Sequence, residues 1–260
     1  MMPRWLRKLA YRFGYDIAVR KLPQYDTLRR ELKVPRDMEP EFLDLYEKAA
    51  PFTMTSVERM YALHTAVRHV VAQGIPGDFV ECGVWRGGSA MMIAQTLAQL
   101  GETSRRLHLF DTFAGMTRPE DVDRRGKDGS ETLSRWEEFQ RDDHNEWAYA
   151  PLDEVKTNMA TTRLPAASIV YVEGEVETTL PDQAPDAIAL LRLDTDWYRS
   201  TAHELEHLYP RLSPGGILII DDYGSFEGAK KAVDEYFAGL GGGPYLQRID
   251  TAGRLAVREG

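Results

Sequence analysis

Two apolar stretches of the chain run straight into paired acids. "LLRLDTD" ends at Asp194 and Asp196, and "ILIIDD" ends at Asp221 and Asp222. Neighbouring carboxylates repel, and burial raises the cost of keeping both charged. A positive charge is therefore expected among them. Three or four carboxylates with no thiolate nearby make a hard-oxygen site, suited to Mg2+, Ca2+ or Mn2+. Each acid also has a plainer use. Asp is a favoured helix cap, so Asp196 and one of the 221–222 pair could simply start the helices that follow.

A second cluster lies earlier. "FVECGVWRGGSA" places Glu81, Gly83, Gly87, Gly88 and Ser89 at a strand-to-helix turn. Glycines let a ligand approach the backbone, and a helix start offers unpaired N–H groups. The spacing departs from the G-x-G-x-x-G dinucleotide fingerprint. An acid before the glycines would also face a pyrophosphate badly. It suits a cationic ligand, such as the amino group and sulfonium of S-adenosylmethionine. In "HLFDTFAGM", Asp111 closes the next strand with Thr112 beside it. An acid there accepts the ribose hydroxyls of an adenosine cofactor.

These residues need a frame. Strand-like runs ("GDFVECG", "RLHLFDTF", "SIVYVEG", "DAIALLRLDTD", "ILIIDDY") alternate with helix-like ones. "STAHELEHLYPRLSPGG" reads as a helix. The alternation predicts an α/β fold with a mostly parallel sheet and helices on both faces. "YLQRID" and "RLAVRE" follow without a helix between them and predict a closing antiparallel hairpin. In open α/β sheets ligands bind beyond the carboxyl ends of the strands, where every residue named above falls. Asp194 and the 221–222 pair end consecutive strands, so they converge if those strands are neighbours. "TSVERMYALHTAVRHVVAQG" reads as a helix capped by Thr55 or Ser56. Residues 1–50 read as a helical extension broken at Pro23, Pro35 and Pro40, and residues 51–260 as the main domain. Residues 115–150 are long, charged and tipped with Trp136, Trp147 and Tyr149, as in a functional lid or a disordered segment.

The chain has 260 residues, 43% hydrophobic and 28% charged, with a net charge of −9. That balance fits a soluble globular protein and argues against a nucleic-acid partner. The lone cysteine, Cys82, excludes an intrachain disulfide, and a reducing, cytoplasmic location is expected. No apolar run approaches the length of a bilayer span. The first 22 residues are basic and amphipathic. They fit contact with an anionic membrane surface or a partner chain, although the default is an ordinary packed helix.

"GDFVECGVWRGGSA", "LFDTFAGM", "LRLDTDWYRSTAHELEHLYPRLSPGGILIIDDYG" and "KKAVDEYF" together resemble the macrocin O-methyltransferase family over roughly residues 50–258. The resemblance implies a class I methyltransferase fold with a seven-stranded, Rossmann-like sheet. It implies S-adenosylmethionine, Mg2+, and methyl transfer to a sugar hydroxyl of a natural product or glycan. It implies Asp194, Asp221 and Asp222 as metal ligands, with Asp194 also the base. It places Thr53, Met54, Thr55 and Arg59 near the amino-acid end of the cofactor, and Gly174 and Glu175 near its adenine. A homodimer is the expected assembly.

Other readings stay open. His144, His203 and His207 are alternative proton acceptors, but His203 and His207, at i and i+4, need a third ligand before they signify a metal site. Trp197 and Tyr198 could line an acceptor pocket or merely pack. Asp194-Thr195-Asp196 also reads as the D-x-D of a metal-dependent glycosyltransferase using a nucleotide sugar. A non-catalytic cofactor-binding scaffold is a third reading.

Overall fold

The computed structural model describes residues 24–125 and 131–260. The basic amphipathic segment of the first 22 residues lies outside them. Two compact units divide after Leu43. In the first, helix α1 (Gln24–Glu31) leads into a turn where the Arg29 guanidinium donates to the carbonyls of Pro35, at 2.6 Å, and Met38. Helix α2 spans Pro40–Ala49.

The second unit carries the sheet. Helix α3 (Val57–Ala72) starts where Ser56 Oγ accepts from the Arg59 amide at 3.1 Å. Such a cap contributes about 1 kcal/mol. The chain continues through β1 (Asp78–Cys82), α4 (Gly88–Leu100), β2 (Leu107–Asp111), α5 (Thr132–Phe139), α6 (Leu152–Met159), β3 (Ile169–Glu173), α7 (Val176–Thr179) and β4 (Ile188–Leu193). It ends with α8 (Tyr198–Leu208), β5 (Leu212–Ile220), α9 (Glu227–Gly239), β6 (Gln247–Arg248) and β7 (Arg254–Val257).

The strand order is β3-β2-β1-β4-β5-β7-β6. β1 to β5 are parallel, and β7 runs antiparallel to both β5 and β6. The expected closing hairpin is present, with its second strand inserted beside β5. Direction along the sheet reverses between β1 and β4, the switch point where such sheets bind ligands.

The central strands are apolar because helices cover both faces. All six residues of β4 are buried. On one face Leu193, Leu218 and Ile220 pack with Leu205 and Leu208 of α8 and with Val233 and Phe237 of α9. Each such Leu or Ile stabilises the fold by roughly 1.5–3 kcal/mol when fully buried. One boundary differs from expectation. "LSPGG" belongs to β5 rather than ending a helix, since the Gly215 amide bonds the Arg258 carbonyl at 2.8 Å. Pairing with the last strand overrides a local turn signal.

Within residues 115–150 the described part folds back on itself. The Met116 amide donates to the Trp147 carbonyl at 3.0 Å, and the Asn145 amide to the Ala114 carbonyl at 2.8 Å. Asp123 is buried and its Oδ1 accepts the Tyr198 amide at 2.7 Å. This carboxylate caps α8 from a distant segment, and so joins residues 115–125 to the turn that carries Asp194.

Candidate active site

A cavity of about 340 Å³ opens at the carboxyl ends of β1, β2, β4 and β5. It gathers Thr53, Met54, Thr55, Arg59, Gly83, Ser89, Asp111, Thr112, Gly174, Glu175, Asp194, Asp221 and Asp222. The strand ladder runs directly into these residues. The Gly83 amide donates to the Phe110 carbonyl at 2.9 Å, Asp194 to Cys82 at 2.8 Å, and Asp221 to Leu193 at 2.9 Å. Gly83, at φ +83°, also lies against the Asp194 backbone: a Cβ there would come within 2.0 Å of the Asp194 carbonyl oxygen.

One side of the cavity is the glycine turn. Asp111 Oδ2 accepts the amides of Val84 (2.6 Å) and Trp85 (3.1 Å), and Oδ1 accepts that of Phe113 (2.7 Å). The carboxylate thus fastens the turn after β1 to the end of β2, and still faces the cavity. Gly87 and Gly88 do not line the cavity. Gly88 instead lets the preceding segment approach the start of α4, where a Cβ would meet the Phe52 carbonyl carbon and the Thr53 side chain at 2.6 Å.

Glu81 does not line it either. It is fully buried beneath the cavity floor, in register with Arg192 across β1 and β4. Arg192 Nη1 pairs with Glu81 at 2.5 Å and with Asp194 at 2.8 Å, and its Nη2 pairs with Asp221 at 2.6 Å. Ser89 Oγ donates to Glu81 as well. Glu81 therefore serves a guanidinium of the protein and does not face a cationic ligand as its position in the sequence suggested. Arg59 pairs with the other oxygen of Asp221 and with Asp250, the latter at 3.0 Å. Sequence spacing left the neutralising charge to a metal ion. For Asp221, two arginines supply it. Arg192 has a sequence signal after all: it is the one charged residue of the strand "IALLRL".

The remaining acids are not so matched. Six carboxylates (Glu81, Asp194, Asp196, Asp221, Asp222 and Asp250) gather with only two guanidiniums. Burial and the neighbouring acids push Asp194 and Asp222 well above the usual carboxylate range. Asp196 is pushed up to about 8 by burial and by Asp194. It sits at φ +69° in a three-residue turn closed by the Trp197 amide on the Thr195 carbonyl at 2.8 Å. That turn aims Asp196 at Asp222 and the cavity, so it is not the helix cap its position suggested. Carboxylate oxygens of Asp194, Asp221 and Asp222 lie within 4.8 Å of one another. Asp222 Oδ2 is buried with no hydrogen-bond partner among the described residues.

The other wall is aromatic. Trp147 and Phe226 line the cavity, and Trp197 lies between them in edge contact, with centroids at 5.7 and 5.2 Å. Trp197 itself is 2% exposed, and its Nε1 donates to the Thr117 carbonyl at 3.0 Å. It packs behind the wall. Tyr198 points outward, its hydroxyl donating to Glu235 at 2.8 Å. Neither Trp197 nor Tyr198 lines the cavity; Trp147 and Phe226, distant in sequence, do. His144 stacks on Tyr149 away from the cavity lining. His203 and His207 gain a third group, Glu206, within 4.8 Å, but none of the three lines the cavity.

The chain matches the Macrocin-O-methyltransferase (TylF) family over residues 27–255. It is 36% identical over 217 residues to the 8-demethyl-8-(2,3-dimethoxy-alpha-L-rhamnosyl)-tetracenomycin-C 4'-O-methyltransferase of Streptomyces olivaceus, covering 84% of this chain and 79% of that protein. It is 32% identical over 203 residues to the mycinamicin III 3''-O-methyltransferase of Micromonospora griseorubida, covering 77% and 76%. The solved structure of the O-methyltransferase NovP superposes with a TM-score of 0.69 at 32% identity, covering 80% of this chain and 83% of that one. These matches leave no place for the glycosyltransferase reading of Asp194-Thr195-Asp196. The chain belongs to the macrocin O-methyltransferase family and is an O-methyltransferase.

Proposed function

We propose that the protein moves the methyl group of S-adenosylmethionine to a sugar hydroxyl, with a divalent cation such as Mg2+ held by Asp194, Asp221 and Asp222. The observation that carries this reading is the pairing, within one cavity, of a nucleoside-type turn and an under-neutralised carboxylate cluster. The sugar acceptor is supported by relatives whose names specify sugar O-methylation. The residues fit a hard cation: the donors are all oxygens, the acids outnumber the guanidiniums, and Asp222 Oδ2 has no donor. A divalent cation bound there lowers the pKa of a hydroxyl and fixes neighbouring oxygens.

The protein's own groups do the rest. The glycine turn, Asp111 and the Gly174-Glu175 stretch hold the nucleoside, and Thr53 to Thr55 close over its amino-acid end. Trp147 and Phe226 present flat apolar faces to a sugar ring. Alignment of acceptor oxygen, methyl carbon and sulfur then supplies much of the acceleration. Arg192 pairs with Asp194 at 2.8 Å and holds that carboxylate at the cavity floor, where it is placed to receive the hydroxyl proton, with Asp196 beside it.

The test is calorimetric. Wild-type protein should bind S-adenosylhomocysteine and then release or absorb heat with Mg2+. Asp222→Asn should keep the first signal and lose the second. Silence towards S-adenosylhomocysteine would overturn the proposal. A metal heat unchanged in Asp222→Asn would remove the metal assignment.

A further inference from the structure

The cavity carries a charge split that methyl transfer to a neutral sugar does not require. Its floor is acidic. At its aromatic wall stand two arginines, Arg125 and Arg135, both exposed and both lining the cavity. Arg135 lies over the Trp147 ring at 4.4 Å. Arg125 is bridged through its backbone to Phe226. Arg135 therefore rests on one aromatic residue of the acceptor wall and the Arg125 backbone is paired with the other, and Trp197 joins the two aromatics from behind.

Neither arginine makes an ion pair or a side-chain hydrogen bond with any described residue. This sets them apart from Arg59, Arg86, Arg141 and Arg192, each of which has a carboxylate partner. Contact with the Trp147 ring holds the Arg135 guanidinium at the wall, and its N–H groups have no hydrogen-bond partner among the described residues. Two guanidinium forks beside an aromatic wall, in a cavity mouth, are what a multi-oxygen anion needs for recognition.

We infer that the acceptor is a sugar bearing a phosphoryl group, a sugar phosphate or nucleoside diphosphate sugar, whose anion is held by Arg125 and Arg135. The inference rests on the sugar-acceptor reading above and narrows it. The sugar ring lies on Trp147 and Phe226, with its hydroxyls towards Asp194, Asp196 and Asp222. The phosphoryl group lies outward, where the arginines balance it and the acidic floor does not repel it. A phosphoryl group is favoured over a carboxylate because two separate guanidiniums flank the wall, and only the former offers three or more oxygens in different directions.

The test uses the full chain saturated with S-adenosylhomocysteine. Four probes are titrated: glucose 1-phosphate, dTDP, glucuronate and methyl glucoside. Glucose 1-phosphate, dTDP or both should bind, and added NaCl should weaken that binding. Arg125→Gln and Arg135→Gln should each weaken it about tenfold, and the pair about a hundredfold. Binding of glucose 1-phosphate alone would assign a sugar phosphate, and binding of dTDP a diphosphate. Affinity for S-adenosylhomocysteine should not change in the variants. A drop there would mean that the arginines hold the cofactor carboxylate, and would overturn the inference. So would glucuronate or methyl glucoside binding as tightly as the phosphorylated probes. Failure of every anionic probe, with S-adenosylhomocysteine still bound, would overturn this inference alone. Failure of S-adenosylhomocysteine itself would instead strike the methyltransferase cofactor reading.

Discussion

Replacing Arg192 with methionine is the sharpest test of how the acid cluster is held. The guanidinium is 2% exposed, and its partners Glu81 and Asp221 are 0% and 5% exposed. Methionine keeps much of the volume and removes the charge. Breaking a buried pair by deleting one partner costs about 3–5 kcal/mol, because the surviving charge is left uncompensated. For a chain of this size that is a fall in Tm of roughly 6–20 °C. The pH dependence has a definite sign. Burial already raises the Glu81 pKa, and Arg192 is the main influence opposing it. Without Arg192 the folded-state pKa rises further above the unfolded value near 4.3. The penalty is then full above the folded pKa and vanishes below the unfolded one. The stability gap between wild type and Arg192→Met should therefore be wider at pH 8 than at pH 5, as measured by urea unfolding. Adding Glu81→Gln should recover about 1–3 kcal/mol of the loss. A single variant within about 0.5 kcal/mol of wild type, or a double variant worse than the single, would refute this account of the buried network.

Three further outcomes are expected. Gly88→Ala should cost about 1–3 kcal/mol by overpacking against Phe52 and Thr53, and should weaken S-adenosylhomocysteine binding about tenfold, as calorimetry would show. Burial alone would raise the Asp250 carboxyl, but the Ser56 hydroxyl, the Gly253 and Ala252 amides and Arg59 bring it down to about 2. Its contribution is thus full above about pH 4 and lost as pH falls through 2. Asp250→Asn should lose about 1 kcal/mol at pH 7, with the gap to wild type closing in acid, as denaturant midpoints would show. Cys82 is fully buried and its thiol pKa is raised well above the ordinary value, chiefly by burial. A thiol reagent should find no reactive group in the folded chain and a single one after unfolding.

The sheet and the acid cluster were legible because buried parallel strands are written as unbroken apolar runs, and their polar punctuation marks the ligand edge. "IALLRL" followed by "DTD" declares both the strand and the site. What stayed hidden depends on contacts between distant segments. Glu81 looks like a ligand-facing acid until its register with Arg192 is known. Trp197 looks like a pocket residue until Trp147 and Phe226 are seen in front of it. Asp123 caps a helix that begins 75 residues later, beyond any local capping pattern. "SPGG" carries a turn signal, yet the last strand recruits it into the sheet.

The amides of Gly83, Asp194 and Asp221 reach the carbonyls of Phe110, Cys82 and Leu193 in one ladder across the site. It makes the sheet a jig: the glycine turn and the acid cluster of the cavity are spaced by strand separation, not by loop conformation. With Gly83 seated against the Asp194 backbone, one cannot slide past the other. The segment spanning residues 115–150, by contrast, supplies Trp147, Arg125 and Arg135 from outside that jig. Such a division means that substitutions in the wall at Trp147, Arg125 and Arg135 can reshape the cavity mouth without shifting the spacing of the acids that the strands set.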